Sequence, residues 1–145
     1  MYPIETCIDW LKMPSHSETY CTPESFAQQE GLNPPAFLAI LAGGLRLLPE
    51  IVDVAGELRI LQRKWQRPDT ARLAPYPGDE DGRAFMTADH FCETFGLGIA
   101  DLLRLAVRYE LPPIYSSKRS PGMAVLDPAY VRLWALRRQA EVGRN

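Results

Sequence analysis

Two stretches of the chain place apolar and polar residues in the same order. From Thr87 to Tyr115, TADHFCETFGLGIADLLRLAVRYELPPIY, apolar positions recur at helical spacing on both sides of a glycine turn. The first run predicts a short helix capped by Thr87, with Asp89 in its first turn and Phe91, Cys92 and Phe95 as apolar surface. Gly96-Leu97-Gly98 makes the turn. The second helix runs from Ile99 to Tyr109, with Leu102, Leu103, Leu105, Ala106 and Tyr109 facing inward. Asp101, Arg104 and Arg108 are three and four residues apart and share the outer face. Pro112-Pro113 ends the helix, and IYSSK, RSPG and MAVLD predict a hairpin over 114–126 with a basic tip. Asp127 then caps a last helix with Pro128 at its first position. The expected inner face of that helix is Tyr130, Leu133, Trp134 and either Leu136 or Ala135, leaving Arg132, Arg137 and Arg138 outward.

The earlier stretch starts at Thr22, a cap followed by Pro23 and Glu24. Phe26, Ala27 and Leu32 form an inner face, and Gly31 sits where a helix ends in the left-handed conformation. A second helix is expected over Pro35–Gly43. Its sequence, PAFLAILAGG, is apolar on every side, which predicts burial or an interface. Phe37, Leu38, Ile40 and Leu41 are the expected interface residues, for a second copy or another partner. EIVDVAGELRIL predicts a hairpin turning at Ala55-Gly56, and Arg63, Lys64, Trp65 and Arg67 a short helix stopping at Pro68. Residues 68–83 are rich in Pro, Gly and acid, a linker kept solvated by its charges. Before all this, Ile4, Ile8 and Leu11 recur at helical spacing beside Trp10 until Pro14. The expected organisation is a helical extension over 1–21, a unit over 22–67, a linker over 68–86 and a second unit over 87–145.

Aligned without gaps at an offset of 65, the segments beginning at Thr22 and Thr87 match in Thr22/Thr87, Phe26/Phe91, Gly31/Gly96, Leu32/Leu97 and Leu38/Leu103. The matched positions are the cap, the core aromatic, the turn glycine and two core leucines, so structural roles repeat as well as letters. With the Leu111-Pro112 exit, the 114–126 hairpin and the Asp127 helix, the second unit resembles the winged helix-turn-helix of the excisionase and MerR-like family. The first unit is a degenerate copy. The fold class expected is therefore mainly α with short β-hairpins (α+β), in two tandem winged helix-turn-helix-like units. The resemblance implies that the second helix enters a DNA major groove through Arg104 and Arg108, while Lys118 and Arg119 on the wing contact phosphate. The first unit offers no donor to a base edge over Ala36–Ala42, so it is not expected to read DNA.

Composition narrows the function. The net charge of −2 is unlike the basic footprint usual for nucleic-acid binders. Residues 74–145 balance nine basic against nine acidic side chains, but Asp79, Glu80 and Asp81 supply three of the acids. No long apolar run suggests a membrane span, MYPIETCIDWLK does not read as a secretory signal, and a cytoplasmic protein is expected. Cys7, Cys21 and Cys92 fit no disulfide framework, and His90 with Cys92 lacks a second ligand pair, so no metal or other cofactor is expected. His16 and His90 have no catalytic partner at any recognisable spacing, so no enzyme is expected. Two functions remain. One is a small DNA-binding regulator of excisionase type, homodimeric through the first unit, acting on double-stranded DNA. The other is a protein-binding inhibitor or adaptor, such as a phage-encoded anti-CRISPR, that keeps the fold and engages a host protein.

Overall fold

The computed structural model describes residues 19–81 and 85–143. The helical reading of residues 4–11 and the side chains of Cys7 and His16 lie outside the described residues. The fold is mixed α and β, with five α-helices among the described residues and two small antiparallel sheets.

The first unit comprises β1 (Thr19–Cys21), α1 (Pro23–Gln29), α2 (Pro34–Ala42), β2 (Ile51–Val54) and β3 (Glu57–Gln62). The second comprises β4 (Met86–Thr87), α3 (Ala88–Phe95), α4 (Ile99–Val107), β5 (Tyr115–Ser116), β6 (Ala124–Leu126) and α5 (Pro128–Gly143). In each unit the strand before the first helix pairs with the last hairpin strand, giving the orders β1-β3-β2 and β4-β6-β5. The two leading strands have no apolar periodicity, and the expected boundaries missed both. Residues 19–21 belong to the first unit's sheet and not to a helical extension, with Cys21 opposite Ile60.

Local chemistry explains why the same frame forms twice. The hydroxyls of Thr22 and Thr87 each accept from the N–H three residues on, at 3.1 Å in both cases. Gly31 and Gly96 have φ of +68° and +60°. Each unit closes the turn identically. Leu32 N–H donates to the Ala27 carbonyl at 2.8 Å and Leu97 N–H to that of Cys92 at 2.9 Å. Such a closure needs a left-handed residue just before the leucine, and only glycine takes that conformation without strain. Asn33 caps α2 by accepting from Ala36 N–H, whereas Asp101 reaches back to accept from Gly98 N–H at the start of α4.

The units do not fold as separate bodies. Phe26, Phe37, Leu38 and Ile40 share one continuous core with Phe91, Leu102, Leu103 and Leu126. The packing is reciprocal: α1 lies on α4 and α3 on α2, β3 on α4 and β6 on α2, while α2 meets α4 directly. Reciprocity of this kind marks a two-fold-like pairing, here within one chain. A second correspondence lies outside the gapless alignment. Trp65 donates its indole N–H to the Leu47 carbonyl at 2.8 Å and sets its ring against Phe26 at 5.1 Å. Trp134 donates to the Glu110 carbonyl at 2.6 Å and sets its ring against Phe91 at 5.2 Å. Each tryptophan thus ties the exit of its hairpin to the chain just beyond the second helix.

Several expectations are corrected. Residues 63–69 form no helix; the chain runs irregularly from Trp65 to a 3-10 turn at Thr70–Arg72. Tyr109 is not inward but 90% exposed. In α5, Val131 and Trp134 turn inward, whereas Tyr130, Leu133 and Leu136 are 39%, 56% and 55% exposed. The acidic linker is not simply solvated either, because Glu80 is buried against the second hairpin.

Candidate functional site

The residues nominated for a homodimer contact are core. Phe37, Leu38 and Ile40 are wholly buried and Leu41 is 5% exposed. Because α2 lies between its own unit and α3 and α4, its polar-free surface is used inside the chain, and these four side chains present nothing to a second copy.

The residues nominated for DNA fall into two groups with different neighbours. Arg104 projects from α4 into a groove shared with Glu24, Glu57 and Arg59 of the first unit. Its Nη1 lies 3.5 Å from Oδ1 of Asp101, an exposed pair that contributes little to stability but offsets the charge. Arg108 follows α4 as its exposed C-terminal cap. The opposite, apolar face of α4 is covered by the first unit, which brings Glu24 and Glu57 beside the helix.

Lys118 and Arg119 are exposed at the hairpin tip, but the linker folds back onto it. Ser117 Oγ donates to Glu80 at 2.6 Å, and Lys118 N–H donates to the other carboxylate oxygen at 2.6 Å. The Ser117 hydroxyl and the Lys118 N–H hold the Glu80 carboxyl below its ordinary range. Ser117 Oγ in turn accepts from Arg119 and Ser120 N–H groups, and the Arg119 guanidinium pairs with Asp81. Further back, Ser116 N–H donates to the Ala74 carbonyl and Tyr76 N–H to the Ser116 carbonyl, which covers the free edge of β5. The basic tip is thus shaped and partly neutralised by the acids that precede it.

Two further reactive side chains, Cys92 and His90, belong to α3. Burial, and secondarily the charge of Asp89, push the Cys92 thiol up to about 11, so it is protonated at neutral pH. His90 lends its backbone N–H to the Thr87 cap and leaves its ring exposed. Among the described residues no three His, Cys, Asp or Glu side chains gather as metal ligands.

One surface was not anticipated. Ala129, Leu133, Leu136 and Ala140 are exposed on α5 at spacings of four, three and four, one continuous stripe. Tyr130 flanks it with the Arg137 guanidinium 5.9 Å from its ring centroid, and Arg138 lies 4.9 Å from that of Trp134. A hollow beside them, of about 140 Å³, is lined by Tyr109, Glu110, Leu111, Tyr130, Trp134, Arg137 and Arg138. Tyr109 stands there at φ +58°, whereas Gly44 occupies the corresponding position of the first unit at φ +118°. A bulky left-handed residue costs about 1 kcal/mol, and such strain gathers at functional positions. The sequence did carry a signal: α5 is apolar on two sides, Val131/Trp134 and Leu133/Leu136, and only one side can face the core. No protein-family model, curated protein or solved structure matches the chain.

Proposed function

We propose that the chain is a protein-binding adaptor or inhibitor that docks a helix of another protein on α5 and Tyr109. The observation that carries this reading is the stripe of Leu133 and Leu136, more than half exposed and flanked by Tyr130, which lines one hollow with Tyr109, itself 90% exposed. Tyr, Trp and Arg side chains around an apolar stripe are the composition of interface hot spots. Arg132, Arg137 and Arg138 rim the stripe. They favour a partner helix edged with Asp or Glu and disfavour self-association, which would set like charges together.

The order strand, helix, glycine turn, helix and hairpin in both units is consistent with a winged helix-turn-helix scaffold used twice. Reading of double-stranded DNA has weaker support. The second helix would approach a groove with Glu24, Glu57 and Asp101 around Arg104, and the wing carries Glu80 and Asp81 against its basic tip. The chain supplies a two-fold-like pair from its own two units, so the adaptor acts as a monomer.

The test is capture from nuclease-treated host lysate with the native chain and with Leu133→Asp/Leu136→Asp, both sites being exposed. A protein retained by the native chain should bind the variant at least about 30-fold more weakly, the scale of a hot-spot loss of about 2 kcal/mol. Capture that vanishes with nuclease, or that the variant keeps, would overturn the reading.

A further inference from the structure

A second feature lies on the first unit, away from the α5 stripe, and is independent of it. A hollow of about 550 Å³ is lined by Arg46, Arg67 and Arg72, with Gln66, Asp69 and Thr70 as the other polar residues. Ala39, Gly43, Leu47, Pro68 and Leu73 complete its wall and floor. Two fastenings hold it open. The Trp65 indole bonded to the Leu47 carbonyl keeps the chain bearing Arg67 beside the 3-10 turn that bears Arg46. Thr70 Oγ1, at 3.3 Å from the Gly122 carbonyl, ties the turn bearing Arg72 to the second unit's hairpin.

What sets these arginines apart is that three without partners line one hollow. Arg59 pairs with Glu57, Arg104 with Asp101 and Arg119 with Asp81, while Arg137 and Arg138 lie over aromatic rings. Among the described residues the guanidiniums of Arg46, Arg67 and Arg72 make no hydrogen bond or ion pair. All three are exposed and line the hollow with the one carboxylate of Asp69, so positive charge is in excess there and an anion would be attracted to it. Planar guanidinium forks match the oxygens of phosphate in paired hydrogen bonds. The volume lies within the range of small-ligand sites, and the Ala39, Leu47 and Leu73 floor gives an apolar surface beside the charges.

We propose that this hollow binds the polyphosphate group of a nucleotide-sized ligand. The three arginines take the phosphates and the apolar floor lies beneath the remainder.

Calorimetry on the full chain, with ATP, tripolyphosphate and adenosine as probes, tests this. ATP and tripolyphosphate should bind with micromolar affinity at low salt, and adenosine should give no heat. ATP binding more tightly than tripolyphosphate identifies a nucleotide as the fitting ligand; equal affinity identifies the polyphosphate alone. Arg67→Glu/Arg72→Glu should weaken binding at least about 100-fold, and Arg46→Glu should weaken it as a single change. The control Arg108→Glu/Arg132→Glu makes the same change in net charge elsewhere and should leave affinity within about twofold. Equal losses in both double variants would reduce the effect to diffuse surface charge and overturn the proposal. So would the absence of heat from tripolyphosphate and ATP at millimolar concentration.

Discussion

Replacement of Leu38 or Leu103 by alanine probes how the two units are joined. The two leucines hold equivalent positions in α2 and α4, both are wholly buried, and both belong to the one shared core. Removing a buried isobutyl group costs transfer free energy and leaves a cavity, together about 2–5 kcal/mol. In a chain of this size each kcal/mol lowers Tm by about 2–4 °C, so either variant should melt roughly 5–20 °C lower. Because α2 packs on α3 and α4, the damage belongs to the whole chain and not to one unit. Calorimetry should give a single transition in the native chain and in both variants, with all of it displaced. Sedimentation should show the same molecular mass throughout. Two resolved transitions, with Leu38→Ala moving only one and Leu103→Ala only the other, would refute the shared core. A change in mass on Leu38→Ala would restore α2 as a contact between copies.

Other outcomes follow from particular side chains. Tyr109→Gly should leave Tm unchanged or raise it by up to about 4 °C, the equivalent of about 1 kcal/mol of relieved left-handed strain, while weakening binding of the captured partner; a marked fall in Tm would mean that Tyr109 supports the fold. The Glu80 carboxyl is held below its ordinary value of 4.5, so its tie to the hairpin is complete above that pH and is lost as pH falls through the lower folded value. Ser117→Ala removes the leading cause and should shift that loss to higher pH, read from the Glu80 carboxyl carbon signal; an unmoved titration would refute the assignment. The Cys92 thiol, pushed from 9.0 to about 11, should hold a roughly 100-fold smaller thiolate fraction at neutral pH than an exposed cysteine, and should react with a disulfide reagent only on unfolding; rapid labelling of the native chain would contradict its burial.

The frame was legible because its signals are local. Thr caps, turn glycines at positive φ, and apolar positions on α1, α3 and α4 are each decided within a few residues. The hairpin at Ala55-Gly56 is equally local, since both residues take positive φ and Asp53 accepts from Gly56 N–H. What escaped depends on distant partners. The strands β1 and β4 are two or three residues long and owe their form to β3 and β6. Trp65 and Trp134 play one role from positions four residues out of register, so the gapless alignment hid them. The apolar helix α2 was correctly read as covered, but sequence could not tell a second copy from the second half of the same chain. For α5 Trp134 was read inward and is, against Phe91 and Phe95, but Val131 takes the inner place expected of Tyr130, Leu133 and Leu136, which stay exposed. Charge was misjudged for the same reason: Glu80 and Asp81 look like linker solvation until the chain folds back on Lys118 and Arg119.

Whether α4 can serve a DNA groove is tested most directly by fluorescence anisotropy of a labelled random-sequence duplex, titrated with the native chain and with Arg104→Ala/Arg108→Ala. With α4 packed on the first unit and the hairpin tip countered by Glu80 and Asp81, no saturable binding is expected at micromolar protein in about 50 mM salt. Any residual attraction should be the same for both chains. Submicromolar binding that collapses between about 50 and 200 mM salt, and that the double variant abolishes, would contradict this and restore the second unit as a DNA reader.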